Sequence, residues 1–286
     1  MPKTFVKRIL TGVLLLAGAV FAQGAASAGA CSDGAMVSAI RLEGLENTKS
    51  HVVERELLNR VGEPFSSAKF ESEKRKLQDL DLFTEISVSC ETASVAGPRA
   101  EKSSVTTIYT FQEIFRWIPS PAGKKTDRDG LMIGLALANL NVAGEDIRAE
   151  VQYRTAVDPF FDNNEYAFYA SSPYLFGLPL GWNFEFLRTD SWDELRGFQD
   201  ASWLADLDLD WALLSHFSVL ASGAYRYVEG GYGSLPEYGA GFAFDYRDAE
   251  LDTRKGVYYE YMMTHVGAGK GSNGKGENYW ELLNDA

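Results

Sequence analysis

The sequence predicts a small α+β domain followed by an antiparallel transmembrane β-barrel. Three observations predict it: a charged-then-apolar leader, one short stretch where helical and strand periodicities succeed one another, and strict period-two alternation throughout the second half. The chain has 286 residues, 45% of them hydrophobic and 13% aromatic, enough apolar material for one large or two modest cores. Its 27 lysines and arginines face 40 aspartates and glutamates, giving a net charge of −13. Such an acidic balance does not suit nucleic acid, whose phosphates need a basic face.

Lys3, Lys7 and Arg8 precede an apolar run over residues 9–22, the charged and greasy parts of a secretory signal peptide. Ala26, Ser27 and Ala28 supply a small-x-small cleavage site, so residues 1–28 are read as the signal. The run is too short for a retained membrane anchor. No other run has the length of a spanning helix, so the exported chain is either soluble or crosses a membrane as strands. In an oxidising compartment Cys31 and Cys90 form one disulfide if their backbones approach within about 7 Å; Cys90 as a plain small core residue is the alternative.

Residues 31–116 carry the order β-α-α-β-β. Val37, Ile40 and Leu42 have strand character, and Gly44 and Asn47 end it. Thr48 or Ser50 can cap a helix in which Val53, Leu57 and Val61 follow at helical spacing, with Gly62 as its left-handed stop. A second helix begins near Ser67, with Phe70, Lys74, Leu77 and Leu80 along one face. Ile86, Val88 and Cys90 then share the buried side of a strand, with Ser87 and Ser89 facing away. Val105, Ile108 and Phe111 mark the last strand. These words resemble a POTRA domain: residues 40–48 with Gly44 and Thr48, Gly62 to Phe65 between the helices, and residues 80–86 at the helix exit. The sequence departs from that family at Asp81, where glycine is common.

After a linker at 117–128, residues 129–286 read as barrel. Ile147, Ala149, Val151 and Tyr153 alternate with Arg148, Glu150, Gln152 and Arg154. Trp203, Ala205, Leu207, Leu209, Trp211 and Leu213 alternate with a side holding Asp206, Asp208 and Asp210; Leu180, Trp182, Phe184 and Phe186 repeat the pattern. About eight such strands are expected, joined as a meander, with 189–200 as an exposed loop. Tyr174, Trp182, Tyr227 and Tyr232 are placed in interfacial aromatic belts.

A second resemblance rests on residues 130–144 with Asn139, Asn141 and Gly144, on Pro173 and Tyr174, and on Asp245, Arg247 and Asp248 followed by Gly256. Together they look like the barrel of the outer-membrane barrel-assembly (surface antigen) superfamily. That resemblance implies residence in the bacterial outer membrane with the POTRA domain in the periplasm, and noncovalent insertion or translocation of other polypeptides without a catalytic residue. Its implied partners are membrane lipid, unfolded outer-membrane or secreted polypeptides, and accessory assembly proteins. A two-partner-type secretion pore and a non-transporting surface antigen are the alternatives. The strand at Ile86, Ser87, Val88, Ser89 and Cys90 is the expected client edge. Family barrels carry about sixteen strands, so the sequence is expected to be a partial barrel or a shortened relative. Arg196, Gly197 and Phe198 match the family's loop motif by chance, because they precede the Asp245 hairpin.

No cofactor, nucleotide or metal is expected. The glycines at 269–276 imitate a phosphate loop, but Gly276 stands where Ser or Thr is needed and no helix follows, so a flexible strand connection is the better reading. His51, His216 and His265 are scattered, and no histidine or cysteine cluster has metal-ligand spacing.

Overall fold

The computed structural model describes residues 30–92, 104–126, 130–157, 163–193, 198–229, 233–247, 255–267 and 278–285. The leader, the glycine loop, Arg196, Gly197, Tyr232 and Asp248 lie outside the described residues. The N-terminal domain comprises β1 (Met36–Glu43), α1 (Ser50–Glu54), α2 (Ser67–Asp79), β2 (Phe83–Thr92) and β3 (Ser104–Glu113). Its sheet has the order β1-β3-β2, with β1 parallel and β2 antiparallel to the central β3. The helix layer covers one face, where Val37, Val53, Leu57, Phe70, Leu77, Ile86, Tyr109 and Phe111 are buried together. Cys31 and Cys90 are bonded, with Cα atoms 4.9 Å apart.

The first helix is shorter than its periodicity predicts. It stops at Glu54 because Glu73 of α2, fully buried, takes the backbone N–H groups of Leu58 (2.5 Å) and Asn59 away from helical bonding. Tyr109 Oη donates to the same carboxylate at 2.8 Å. Glu73, not Lys74, therefore belongs to the buried face of α2, and Val61 is left exposed. Neither predicted cap acts as one: α1 starts behind Lys49 with no side-chain cap, whereas Ser66 caps α2. Asp81, where the resemblance led glycine to be expected, has φ 55°, the left-handed conformation that glycine adopts freely and that aspartate tolerates better than most residues.

Among the described residues the second half is one antiparallel meander of ten strands, nine in the segment where about eight were expected and one before it: β4 (Trp117–Thr126), β5 (Gly130–Asn139), β6 (Arg148–Ala156), β7 (Asn164–Ser172), β8 (Leu180–Asp193), β9 (Phe198–Leu214), β10 (Phe217–Val228), β11 (Gly233–Asp245), β12 (Tyr258–Val266) and β13 (Tyr279–Asp285). The stretch expected as a linker is β4. Pro119 and Pro121 disguise it, and they are tolerated because β4 is an edge strand with one side free of ladder bonds. The expected loop at 189–200 is largely strand, since β8 and β9 pair out to Asp193 and Phe198. β13 is the other edge; the described residues do not close the sheet into a barrel.

The alternation produces two faces. Leu131, Ile133, Leu135 and Leu137 of β5 are exposed, Leu135 by 73%, whereas Met132, Ala136 and Ala138 between them are buried. In register with them stand Val151 and Tyr153, then Tyr166 and Phe168. The opposite face is polar. Glu165 is buried between Lys124 (2.7 Å) and Arg154, and Asp206 and Asp208 lie opposite Glu185 and Asn183. A water-filled or polar interior accommodates that face; hydrocarbon suits the other.

Candidate functional site

Two places gather the residues singled out in the sequence. The first is the junction between the domain and the sheet. Leu140, just past β5, is buried in the core of the N-terminal domain, and Ile118 of β4 packs against that core. Asn139 and Asn141 organise the β5–β6 turn: Asn139 Oδ1 accepts from the N–H of Asn141, and Asn141 Oδ1 accepts from the N–H of Asp146, both at 2.9 Å. Asn141 Nδ2 donates to Thr48 Oγ1 at 2.9 Å, and the N–H of Lys49 donates to the carbonyl of Gly144 at 3.0 Å. Gly144 has φ +77°, and a Cβ there would run into the carbonyl oxygen of Asn47. Thr48 is thus a junction residue and no helix cap; its N–H donates to Glu113 at 2.8 Å.

Charge completes the junction. Arg55 Nη2 donates to Asp146 Oδ2 at 2.7 Å, and its guanidinium lies 3.6 Å from the centre of the Tyr174 ring. Tyr174 Oη donates to Glu56 at 2.7 Å. Asp146 is 1% exposed; burial pushes its carboxyl up to about 6 against the opposing pull of Arg55 and Arg148. Burial and the Glu56 carboxylate push the Tyr174 hydroxyl up to about 12. Burial tends to raise the Glu113 carboxyl, but the hydrogen bonds from Thr48 and Asn47 prevail and hold it below its ordinary value. Outside this buried set, Lys49 and His51 pair with Glu145, and Arg148 donates to the carbonyl of Leu80 (2.9 Å) and to Asp81 (3.3 Å). Asp81 thereby gains a partner on β6.

The structure brings Asn139, Asn141, Gly144 and Tyr174 together here, with exposed Pro173 next in sequence. Tyr174 accordingly leaves the aromatic belt in which its position had placed it. Asp245, Arg247 and Gly256 sit elsewhere, at the β11–β12 connection, where Arg247 Nε donates to Asp245 at 2.8 Å and the guanidinium covers the Tyr258 ring. Arg55, Glu56 and Asp146 were not legible as site residues. Nothing in their spacing joins them, because the pair meets across 91 positions.

The second place is the edge of the N-terminal sheet. Both β1 and β2 are outer strands, but they are not equivalent. The outer side of β1 is occupied at its start by residues 62–65: Val37 donates to Glu63 (3.0 Å), Gly62 to Val37 (2.8 Å) and Phe65, just beside it, to Ala35 (2.8 Å). Among the described residues, Ile86, Ser87, Val88, Ser89 and Cys90 make backbone pairs to β3 alone. Ile86 is buried and Val88 and Cys90 half-buried, while Ser87 is exposed and Ser89 half-buried on the other face. Among the described residues no group of histidine, cysteine and acidic side chains is placed to hold a metal.

A family profile described as POTRA, surface antigen variable number repeat, matches residues 35–113; that segment is a POTRA domain. No curated protein matches the chain. Among solved structures, the chain is similar to BamA from Haemophilus ducreyi lacking POTRA domains 1-3, with a TM-score of 0.59 and 14% identity over 82% of this chain and 50% of that one. CdiB from Escherichia coli matches with a TM-score of 0.48 and 14% identity over 82% and 51%, and CdiB from Acinetobacter baumannii with 0.34 and 11% over 88% and 53%. The chain spans about half the length of each. Its fold is that of a POTRA domain joined to an antiparallel sheet similar to the barrel wall of that BamA.

Proposed function

We propose that the chain is an outer-membrane assembly or translocation factor whose periplasmic POTRA domain receives extended polypeptides along β2. The observation that carries this reading is the difference between the two sheet edges: the chain's own residues 62–65 pair with the start of β1, whereas among the described residues β2 pairs with β3 alone and leaves its outer backbone open from Ile86 to Cys90. A strand edge recruits an extended chain through backbone hydrogen bonds, with side-chain specificity secondary, which suits clients that share no sequence. The apolar outer face of the ten-stranded sheet sits in lipid and its polar face lines the interior. The work is noncovalent and uses no catalytic residue.

A photoreactive amino acid at Ser87 or Ser89, in cells expressing the full chain, is expected to crosslink to nascent outer-membrane polypeptides. Val88→Pro removes a backbone donor from this strand and should reduce the crosslinks severalfold. Unchanged crosslinking, with near-ultraviolet dichroism showing the domain still folded, rejects β2 as the receiving edge.

A further inference from the structure

The β7–β8 connection carries a feature that the client edge and the junction leave unexplained. Leu175 and Leu178 bond each other in both directions (3.2 and 3.0 Å), so Phe176 and Gly177 are the two central residues of a tight hairpin turn. Both have positive φ, 53° and 77°, as a primed turn demands. Glycine adopts that conformation freely; a bulky aromatic residue is a rare and strained occupant. The strain serves no packing, since Phe176 is 95% exposed, the most exposed large hydrophobic residue among those described.

Its surroundings are apolar as well. Leu178 in the same turn is more than half exposed, and the carbonyl of Pro179 accepts from the N–H of Ala212, which sets the turn beside the end of β9. There Trp211, Leu213 and Leu214 are exposed. Trp211 is in register with Leu180, and both belong to the outward apolar set of their strands. The turn therefore continues the outward apolar surface beyond Leu180, the first residue of β8, at the end of the sheet that meets the POTRA domain.

We propose that Phe176 is a membrane anchor, its ring inserted at the headgroup–acyl boundary of the leaflet on the POTRA side. An exposed ring at the rim of an apolar wall would meet phospholipid, and burial there takes out of water the apolar area that the ring exposes. Two residues earlier, Tyr174 grips Glu56 and Arg55 of the POTRA domain. One hairpin thus holds lipid at its tip and the domain at its root, which sets the height of the client edge relative to the bilayer. The inference rests on the outer face of the sheet lying in lipid.

The test uses the full chain in vesicles of phosphatidylethanolamine and phosphatidylglycerol. Because Cys31 and Cys90 are bonded to each other, Phe176→Cys adds a single reactive thiol for a nitroxide. Power saturation with oxygen and with a water-soluble nickel chelate then reports whether the label sits in lipid or water. Matched labels at Leu135→Cys, on the outer face of β5, and Ser87→Cys, on the POTRA domain, serve as references. The oxygen-to-nickel accessibility ratio at position 176 is expected to exceed that at 87 by about threefold or more, as for a side chain in the interfacial layer. A ratio at 176 equal to that at 87, or exclusion of both reagents, overturns the anchor while a lipid-like ratio at 135 leaves the membrane reading intact. A water-like ratio at 135 overturns both. Leu178→Cys repeats the measurement with the native Phe176 in place, and a water-like result there also counts against the anchor.

Discussion

Replacing Arg55 by alanine is expected to free the POTRA domain from its fixed orientation without unfolding either half. Arg55 is 17% exposed and Asp146 1%, so solvent screens this pair little. The substitution removes a charge-assisted hydrogen bond and the stacking on Tyr174, and it leaves the Asp146 carboxylate buried without its nearest cation. Breaking one side of a buried pair costs about 3–5 kcal/mol. At about 1.4 kcal/mol per tenfold, that lowers the docking equilibrium by roughly two to three and a half orders of magnitude. The assay is a pulsed electron–electron distance measurement between nitroxides at Ser87 and Ser215, both exposed, in the reconstituted full chain. The unsubstituted junction should give one narrow distribution and Arg55→Ala a broad one. Lys49→Ala, which deletes the ion pair with Glu145 at a half-exposed lysine, should leave the distribution narrow, because such pairs contribute under about 1 kcal/mol. A narrow distribution in Arg55→Ala would refute the assignment of the junction to this cluster.

Two further outcomes are expected. Glu73→Ala strips the Leu58 and Asn59 amides and the Tyr109 hydroxyl of one shared acceptor, at about 1–3 kcal/mol for each buried group left unpaired, so amide exchange in α2 should accelerate far more than in Tyr109→Phe; equal effects would contradict the central place given to that carboxylate. The second concerns pH. Burial raises the Asp146 carboxyl to about 6 in the docked state, so docking takes up a proton: the contribution of this group is fully present near pH 4, declines as pH rises toward 6, and is lost above that. Glu113 and Glu145 are held low, Glu145 mainly by its hydrogen bond from Lys49, so their contributions disappear as pH falls below the ordinary carboxylate range. Docking measured by the same distance distribution should therefore be tightest near pH 5, and Asp146→Asn should abolish the weakening between there and pH 6.

Most of the architecture could be read because period-two alternation and turn residues are local signals. β6, β8 and β9 lie where their patterns put them, although β8 and β9 run further than their cores of alternation indicated. The errors fall where long-range partners or edge positions override local propensity. Glu73 truncates α1 from fifteen residues away, and Pro119 and Pro121 make β4 look like a connector although an edge strand tolerates both. Four of the motif positions noticed through resemblance, Asn139, Asn141, Gly144 and Tyr174, turned out to share one place. Their partners Arg55, Glu56 and Asp146 carry no local mark, since a charged residue on a short helix reads as solvated surface until its counterpart, far along the chain, is known.

The passage from β3 to β4 is only three residues long, Ile114, Phe115 and Arg116, and both of its ends are pinned: Ile114 donates to Leu82, and Arg116 accepts from Leu140. A link with so little slack behaves as a hinge, and the Tyr174–Glu56 contact behaves as the latch of the same door. With the latch open and the seat of Leu140 and the Asn141–Thr48 and Arg55–Asp146 bonds given up as well, the POTRA domain would swing about that short stretch of backbone.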